Sequence, residues 1–333
     1  MRVRYEHVHW ELARVLGAHG FAPARAELCA QLFADASRDG VASHGVNRFE
    51  QFIGAVRDGT VDPAAEPALI TASGAFEQWD GRKGPGVLNA HHSMARAITL
   101  SRAHGWGVVG LRNTTHWMRG GNYGWQAADA GVIGVCWTNT RAGMPPWGST
   151  TLRIGNNPLV IAVPRASGAV VLDMALTQFS YGAVNEHRRR GEPLPVDGGY
   201  DTNGELTRDP AAIAASKRML PIGAWKGAGL GLVLDMLATL VTGGFATHEL
   251  APNGADGFGY SQVFIAIDPA ALPAHPAGVS NIVDAIVDDF HRAEKIDGRR
   301  VFYPGERALQ ARVENMAHGI DVDPEVWRRV QAL

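Results

Sequence analysis

The stretch DGVASHGVNRF at residues 39–49 places a histidine, His44, four residues before an arginine, Arg48. On a helix, side chains four apart leave the same face one turn apart. An arginine grips a carboxylate through two parallel hydrogen bonds, and a histidine moves a proton near neutral pH. Together they are the minimum set for interconverting a 2-oxo acid and a 2-hydroxy acid. A surface helix start with a solvated His–Arg pair explains the same spacing, because exposed charge is the norm.

The helical reading follows from the apolar residues Val46, Phe49, Phe52, Ile53 and Val56, spaced by threes and fours. Ser43 is placed to act as the N-cap, and Gly59 as the stop. The apolar face turns inward, leaving His44, Arg48 and Gln51 on another face.

Further polar groups could complete a site. The cluster 113–124, NTTHWMRGGNYG, follows an apolar run and precedes a helix. If the strands are parallel, this is where α/β proteins put their sites. His116 is then a second proton carrier or a hydrogen-bond donor, and Gly120-Gly121 admits a ligand close to the backbone. A glycine turn with His116 as a cap is the plainer alternative. Asp173 ends the run 169–174, where a carboxylate holds ribose hydroxyls, orients an imidazole, or caps the following helix. Trp225-Lys226 and the glycines after them open a helix whose first N–H groups suit an anion, or simply allow close packing. No Rossmann fingerprint, HExxH, CxxC or GxSxG motif occurs. Adjacent His91 and His92 cannot face one ion, so no metal is expected.

These groups need elements to hold them. The chain has 333 residues, enough for two compact domains, with 46% hydrophobic and 19% charged residues. A formal charge of -2 gives no reason to expect nucleic acid or an anionic membrane. Cys29 and Cys136 sit among apolar residues and read as buried free thiols of a reducing compartment. The N-terminus lacks a continuous apolar leader, and the most apolar stretch, 230–241, contains Asp235 and is shorter than a span of ~18 residues. The expected location is cytoplasmic.

Residues 6–58 and 84–103 read as helical. Short β-branched runs at 107–111, 132–137, 158–163, 169–174 and 262–267 read as buried strands. Helices are expected over 122–130, 176–190, 228–242 and 279–293, with Asp323 capping a final one. The fold class is α/β, a mostly β centre flanked by helices with helical N- and C-terminal segments. The expected division is 1–105 with 300–333 as a helical substrate and dimerisation part, and 106–299 as a nicotinamide-binding part. The irregular stretches 139–150 and 191–210 exceed the usual connection length, which favours lid or binding roles. The basic run His187–Arg190 reads as a solvated helix end.

Long blocks in order carry a resemblance: DGVASHGVNRF, EQWD, RNTTHWMRGGNYGWQAADAGVIGVCWTNT, MPPWG, RIGNNPL, FSYG, LPVDGGYDTNGELT, LPIGAWKGAGLGLVLDMLATLV, SQVFIAI and VWRRVQAL. Over essentially the whole chain it resembles the malate/L-lactate dehydrogenase family that is separate from the Rossmann-type enzymes. The resemblance implies a non-Rossmann nicotinamide-binding fold and reduction of a 2-oxo sugar acid by NADH, with NADPH as the second candidate. Malate, L-lactate, ureidoglycolate and cyclic imino acids are the rival substrates, and a non-catalytic NAD-binding protein is the reading from another class. It also implies a homodimer. His44 maps to the proton donor, Ser43, Arg48 and His116 to the substrate pocket, and His116 assists catalysis. The cofactor segments map to Ala169, Val170, Val171, Leu172, Asp173, Met174 and Ala175, to Trp225 and Lys226, and to Gly305, Glu306 and Arg307. Where a reductase of the family reads PGHEF, this chain has Pro304-Gly305-Glu306-Arg307-Ala308, a departure that bears on the choice between NADH and NADPH.

Overall fold

Apolar residues at helical spacing build the first core. The computed structural model describes residues 1–250, 257–272 and 278–333. Helices α1 (Tyr5–Ala18), α2 (Pro23–Arg38) and α3 (Val46–Arg57) come first. Proline at the first position of α2 has no N–H to waste there. Leu12, Phe33, Phe49 and Ile53 are fully buried. They join Val3, Ile320, Trp327 and Val330 from the two ends of the chain in one cluster. An antiparallel pair, Arg2–Val3 with Ile320–Asp321, ties those ends together.

The second core lies on a seven-stranded sheet. Its strands are β1 (Ala68–Ser73), β2 (Phe76–Asp80), β3 (Trp106–Thr115), β4 (Ile133–Thr138), β5 (Leu159–Val163), β6 (Val170–Met174) and β7 (Phe258–Ile267). Their order is β1-β2-β3-β7-β4-β5-β6. Helix α4 (Gly86–His104) packs on β3 and β7, and α5 (Gly121–Asp129) on β4, β5 and β6. Residues α6 (Tyr181–Arg190), α7 (Pro210–Ser216), α8 (Trp225–Thr242), α9 (Val279–His291), α10 (Glu306–His318) and α11 (Pro324–Gln331) complete the helices. Asp323 caps α11 through the Glu325 and Val326 N–H groups. The mixed α/β class and the five expected strands are present.

Three expectations need correction. Only β2 and β3 pair in parallel, and every other neighbouring pair in this sheet is antiparallel. The parallel setting is thus confined to one pair, and His116 follows the carboxyl end of β3 within it. Helix α6 begins at Tyr181 rather than near 176, because Thr177 bridges to Pro221 and Ser180 Oγ accepts the Ala183 N–H. The hairpin β1–β2 was not read as strands, since β1 is almost wholly exposed and carries no buried run.

Helix α8 is longer than the apolar run within it. At 18 residues it is long and apolar enough to cross a bilayer by length and composition. One face is nevertheless bound to this fold. Gly231 O accepts from Asn157 Nδ2 at 2.8 Å, and Leu234 O from Trp137 Nε1 at 3.0 Å. The other face exposes Leu232, Val233, Met236 and Leu240.

Candidate active site

The segment carrying His44 is not one continuous helix. After α2 the chain makes a single 3-10 turn, Ala42–His44, and Gly45 then breaks it at φ -110°, ψ -127°. Ser43 is not the N-cap of α3. Gly45 holds that position, and Ser37 Oγ of α2 accepts the Val46 N–H at 2.9 Å. A Cβ on Gly45 would collide with Ser37 Oγ and with the Phe33 carbonyl. The break re-aims His44 without separating it from Arg48, since both line the same cavity. Ser43 Oγ lies 3.1 Å from His44 Nδ1. Burial draws the His44 imidazole below its ordinary range; Asp173 opposes this, while Arg48 and Arg119 add to it.

His116 follows directly on β3 and faces His44, the ring centroids 6.0 Å apart and the planes at 17°. The Met118 N–H donates to His116 Nδ1 at 2.9 Å. A ring nitrogen that accepts carries no proton, so this bond assigns the proton to Nε2. Burial brings His116 down to about 3, with His44, Arg48 and Arg141 adding to the effect. His116 is thus a neutral donor through Nε2–H. Arg48 is also drawn down by burial, with Tyr260 working against it.

Asp39, the first residue of the quoted motif, is a hub that sequence spacing did not reveal. Its side chain is 1% exposed. It accepts from Arg38 Nε at 2.8 Å, Arg119 Nη1 at 2.7 Å, and Arg312 Nε and Nη2 at 2.9 and 2.7 Å. Burial alone would raise the Asp39 carboxyl, but the guanidiniums of Arg312, Arg119 and Arg38 outweigh it and hold it at about 2. The hub joins the end of α2, the start of α5 and the middle of α10. Arg119 Nε is buried without a partner.

A cavity of about 850 Å³ collects most of the expected site residues. Ser43, His44, Arg48 and His116 line it, as do Val171, Asp173, Ala175, Gly305 and Arg307. The alternation 171, 173, 175 is the period of a strand, so Val170, Leu172 and Met174 turn away; Ala169 does not line it either. Asp173 caps neither its own strand nor a following helix. It accepts the Gly121 N–H at 2.8 Å, at the start of α5. A Cβ would meet Val160 at Gly120 and Asp173 at Gly121, and Gly120 also lines the cavity. Gly305 has φ +94°, and a Cβ there would meet the Val171 backbone. Glu306 turns away from the cavity and binds His291 Nε2, Arg300 Nη2 and the Tyr303 N–H.

Trp225 and Lys226 stand exposed at the start of α8, outside this cavity. The stretch 191–210 does not line it either. Gly199–Tyr200 pairs instead with Leu206–Thr207 and Arg218–Met219, beside a cluster of Val184, Leu194, Ile213 and Met219. From 139–150, Thr140 reaches the cavity. Arg189 and Arg190 pair with Glu186 on the surface of α6.

Comparison with known proteins gives the family. The family model described as malate/L-lactate dehydrogenase matches residues 3–331. The 2,3-diketo-L-gulonate reductase of Citrobacter koseri is 46% identical over 337 residues, covering 100% of both chains. The sulfolactate dehydrogenase of Methanocaldococcus jannaschii superposes with a TM-score of 0.90 at 29% identity, over 99% of this chain and 95% of that one. The delta1-piperideine-2-carboxylate reductase of Pseudomonas syringae gives 0.89 at 28% identity, over 100% and 99%. The chain belongs to the malate/L-lactate dehydrogenase family and is an oxidoreductase of that family.

Proposed function

We propose that the protein reduces 2,3-diketo-L-gulonate to 3-dehydro-L-gulonate with NADH, His44 serving as proton donor. One observation carries this reading: a proton-carrying imidazole, a guanidinium and a neutral imidazole donor meet in one cavity that continues to β6 and Gly305. The name of the 46% identical relative supports the choice of substrate.

The cavity suits a dinucleotide in size, since cofactor and ligand sites run to about 300–1,000 Å³. Val171, Asp173, Ala175, Gly305 and Arg307 would hold it. Residues 169, 170, 172 and 174 brace the strand, and Glu306 fixes the Gly305 turn. The bound nicotinamide supplies the hydride that goes to the C2 carbonyl carbon.

Arg48 pairs with the substrate carboxylate and orients that carbon, a proximity effect. His116 Nε2–H donates to the carbonyl oxygen as negative charge grows there. Ser43 Oγ engages His44 Nδ1, leaving His44 Nε2 to pass its proton to the same oxygen. Asp173 faces His44 and supports its protonated form.

The reading includes a homodimer in the cytoplasm, built on the apolar face of α8. Trp225 is 67% exposed and Leu240 76% exposed on that helix. Pairing there would bury both and bring Trp225 and Lys226 to a partner's cavity.

The test mixes protein with NADH or NADPH, follows nicotinamide fluorescence, and then measures loss of absorbance with a panel of acids. The panel holds 2,3-diketo-L-gulonate, oxaloacetate, pyruvate, and the ureidoglycolate and cyclic imino acid counterparts. Fastest oxidation with the sugar acid is the expected result. Binding without oxidation on any member would favour a non-catalytic protein.

A further inference from the structure

Arg48 and His116 wall two spaces at once. Beside the large cavity they share a chamber of about 80 Å³, lined also by Gln51, Ala55, Thr60 and Tyr260. Gln51 follows Arg48 by three residues on α3 and so shares its face. The Gln51 side chain is exposed, so water meets its amide donors and acceptor until a ligand replaces it.

With the carboxylate on Arg48, the carbonyl oxygen at His116 and the nicotinamide in the large cavity, the rest of the substrate needs another outlet. The chamber is that outlet. A water enters such a space once about 10–15 Å³ is open to it and takes about 30 Å³ in the liquid, so this chamber of about 80 Å³ holds roughly three waters. The tail beyond the two carbonyls of 2,3-diketo-L-gulonate is three carbons with three hydroxyls, which would stand where those waters do. The methyl of pyruvate would leave most of the chamber to water and the Gln51 amide unused.

We propose that this chamber is a subsite for a hydroxylated tail, and that Gln51 selects a polyhydroxylated 2-oxo acid over a short one. The subsite rests on the 2-oxo acid reading given above. A dicarboxylate would instead look for a second cation, and Arg141 on the chamber wall is one. Oxaloacetate therefore belongs in the test.

The experiment measures kcat/KM for 2,3-diketo-L-gulonate, pyruvate and oxaloacetate in the full chain, in Gln51→Leu and in Ala55→Phe. Leucine keeps the size of glutamine and removes its hydrogen bonds, whereas phenylalanine at 55 fills the chamber. The ratio of sugar acid to pyruvate is expected to fall about tenfold in Gln51→Leu, the worth of a hydrogen bond or two, and further in Ala55→Phe. An unchanged ratio in both variants, or a wild-type preference for oxaloacetate, overturns the subsite. A wild-type chain that oxidises NADH with none of the three fails at the 2-oxo acid reading itself and takes the subsite with it.

Discussion

The His44 and His116 rings lie nearly parallel, 6.0 Å apart, yet they are chemically unlike. His116 has spent Nδ1 on the Met118 N–H and stays neutral down to about pH 3. His44 keeps the freedom to titrate. On the proposed mechanism the pair would divide the work of an oxyanion donor and a proton carrier.

Replacing His44 with Ala is expected to cut turnover by about a hundredfold to ten-thousandfold, the usual worth of a general acid. Cofactor binding, followed by fluorescence, should hold. Reduction needs the protonated form, and the folded-state pKa lies below the ordinary imidazole range. Reductive kcat/KM should thus decline as pH rises through that lowered value, while oxidation of the hydroxy acid should rise. A reductive profile that climbs with pH would assign the proton to another group.

His116→Asn should lower kcat by about ten- to a hundredfold, because a donor near the oxygen is weakened but its site stays polar. The pH limb of reduction should remain, since His116 does not titrate in the working range. Disappearance of that limb would mean that His116, not His44, carries the proton.

Arg48→Lys should raise KM for the oxo acid more than it lowers kcat. A lysine supplies the charge but not the paired geometry. An unchanged KM would place the carboxylate elsewhere.

Asp39 predicts an acid limit on stability. Its folded pKa of about 2 lies below the ordinary 3.8, so its contribution is complete above pH 4 and lost as pH falls toward 2. The amount is about 2 kcal/mol, readable from urea unfolding at successive pH values. Asp39→Asn takes the carboxylate from Arg119 and Arg312, while Arg38 keeps Asp35, and should cost about 3–5 kcal/mol.

Leu240→Glu on the exposed face of α8 should convert a dimer to a monomer, measured by light scattering on a sizing column. An unaltered mass would direct the search to another face.

Much of the architecture was legible because burial writes a period into the sequence. The runs at 132–137 and 158–163 carry β-branched residues, and α3 carries its apolar stripe. The order of the strands was not legible, since pairing β7 between β3 and β4 joins residues more than a hundred apart. His44, Arg48, His116 and Asp173 stand out in the sequence because their types are suited to chemistry, and the fold brings them to one cavity. The break before α3 does not, because it depends on a hydroxyl from the preceding helix. The role of Asp39 is not legible in the sequence, because its partners lie 80 and 273 positions away. Gln51 was noticed on the right face, but only the chamber gives it something to do.

The bond from Arg312 to Asp39 also sets a clock. At about 5–20 residues per second, synthesis reaches residue 312 roughly 15–55 seconds after residue 39. Throughout that interval the emerging helices lack Ile320, Trp327 and Val330, which close their core. The His44 turn is thus left without its last anchor until residue 312 has emerged. A nascent chain of this kind should lean on chaperones and show no partial activity, with catalysis switching on only after the far end has docked.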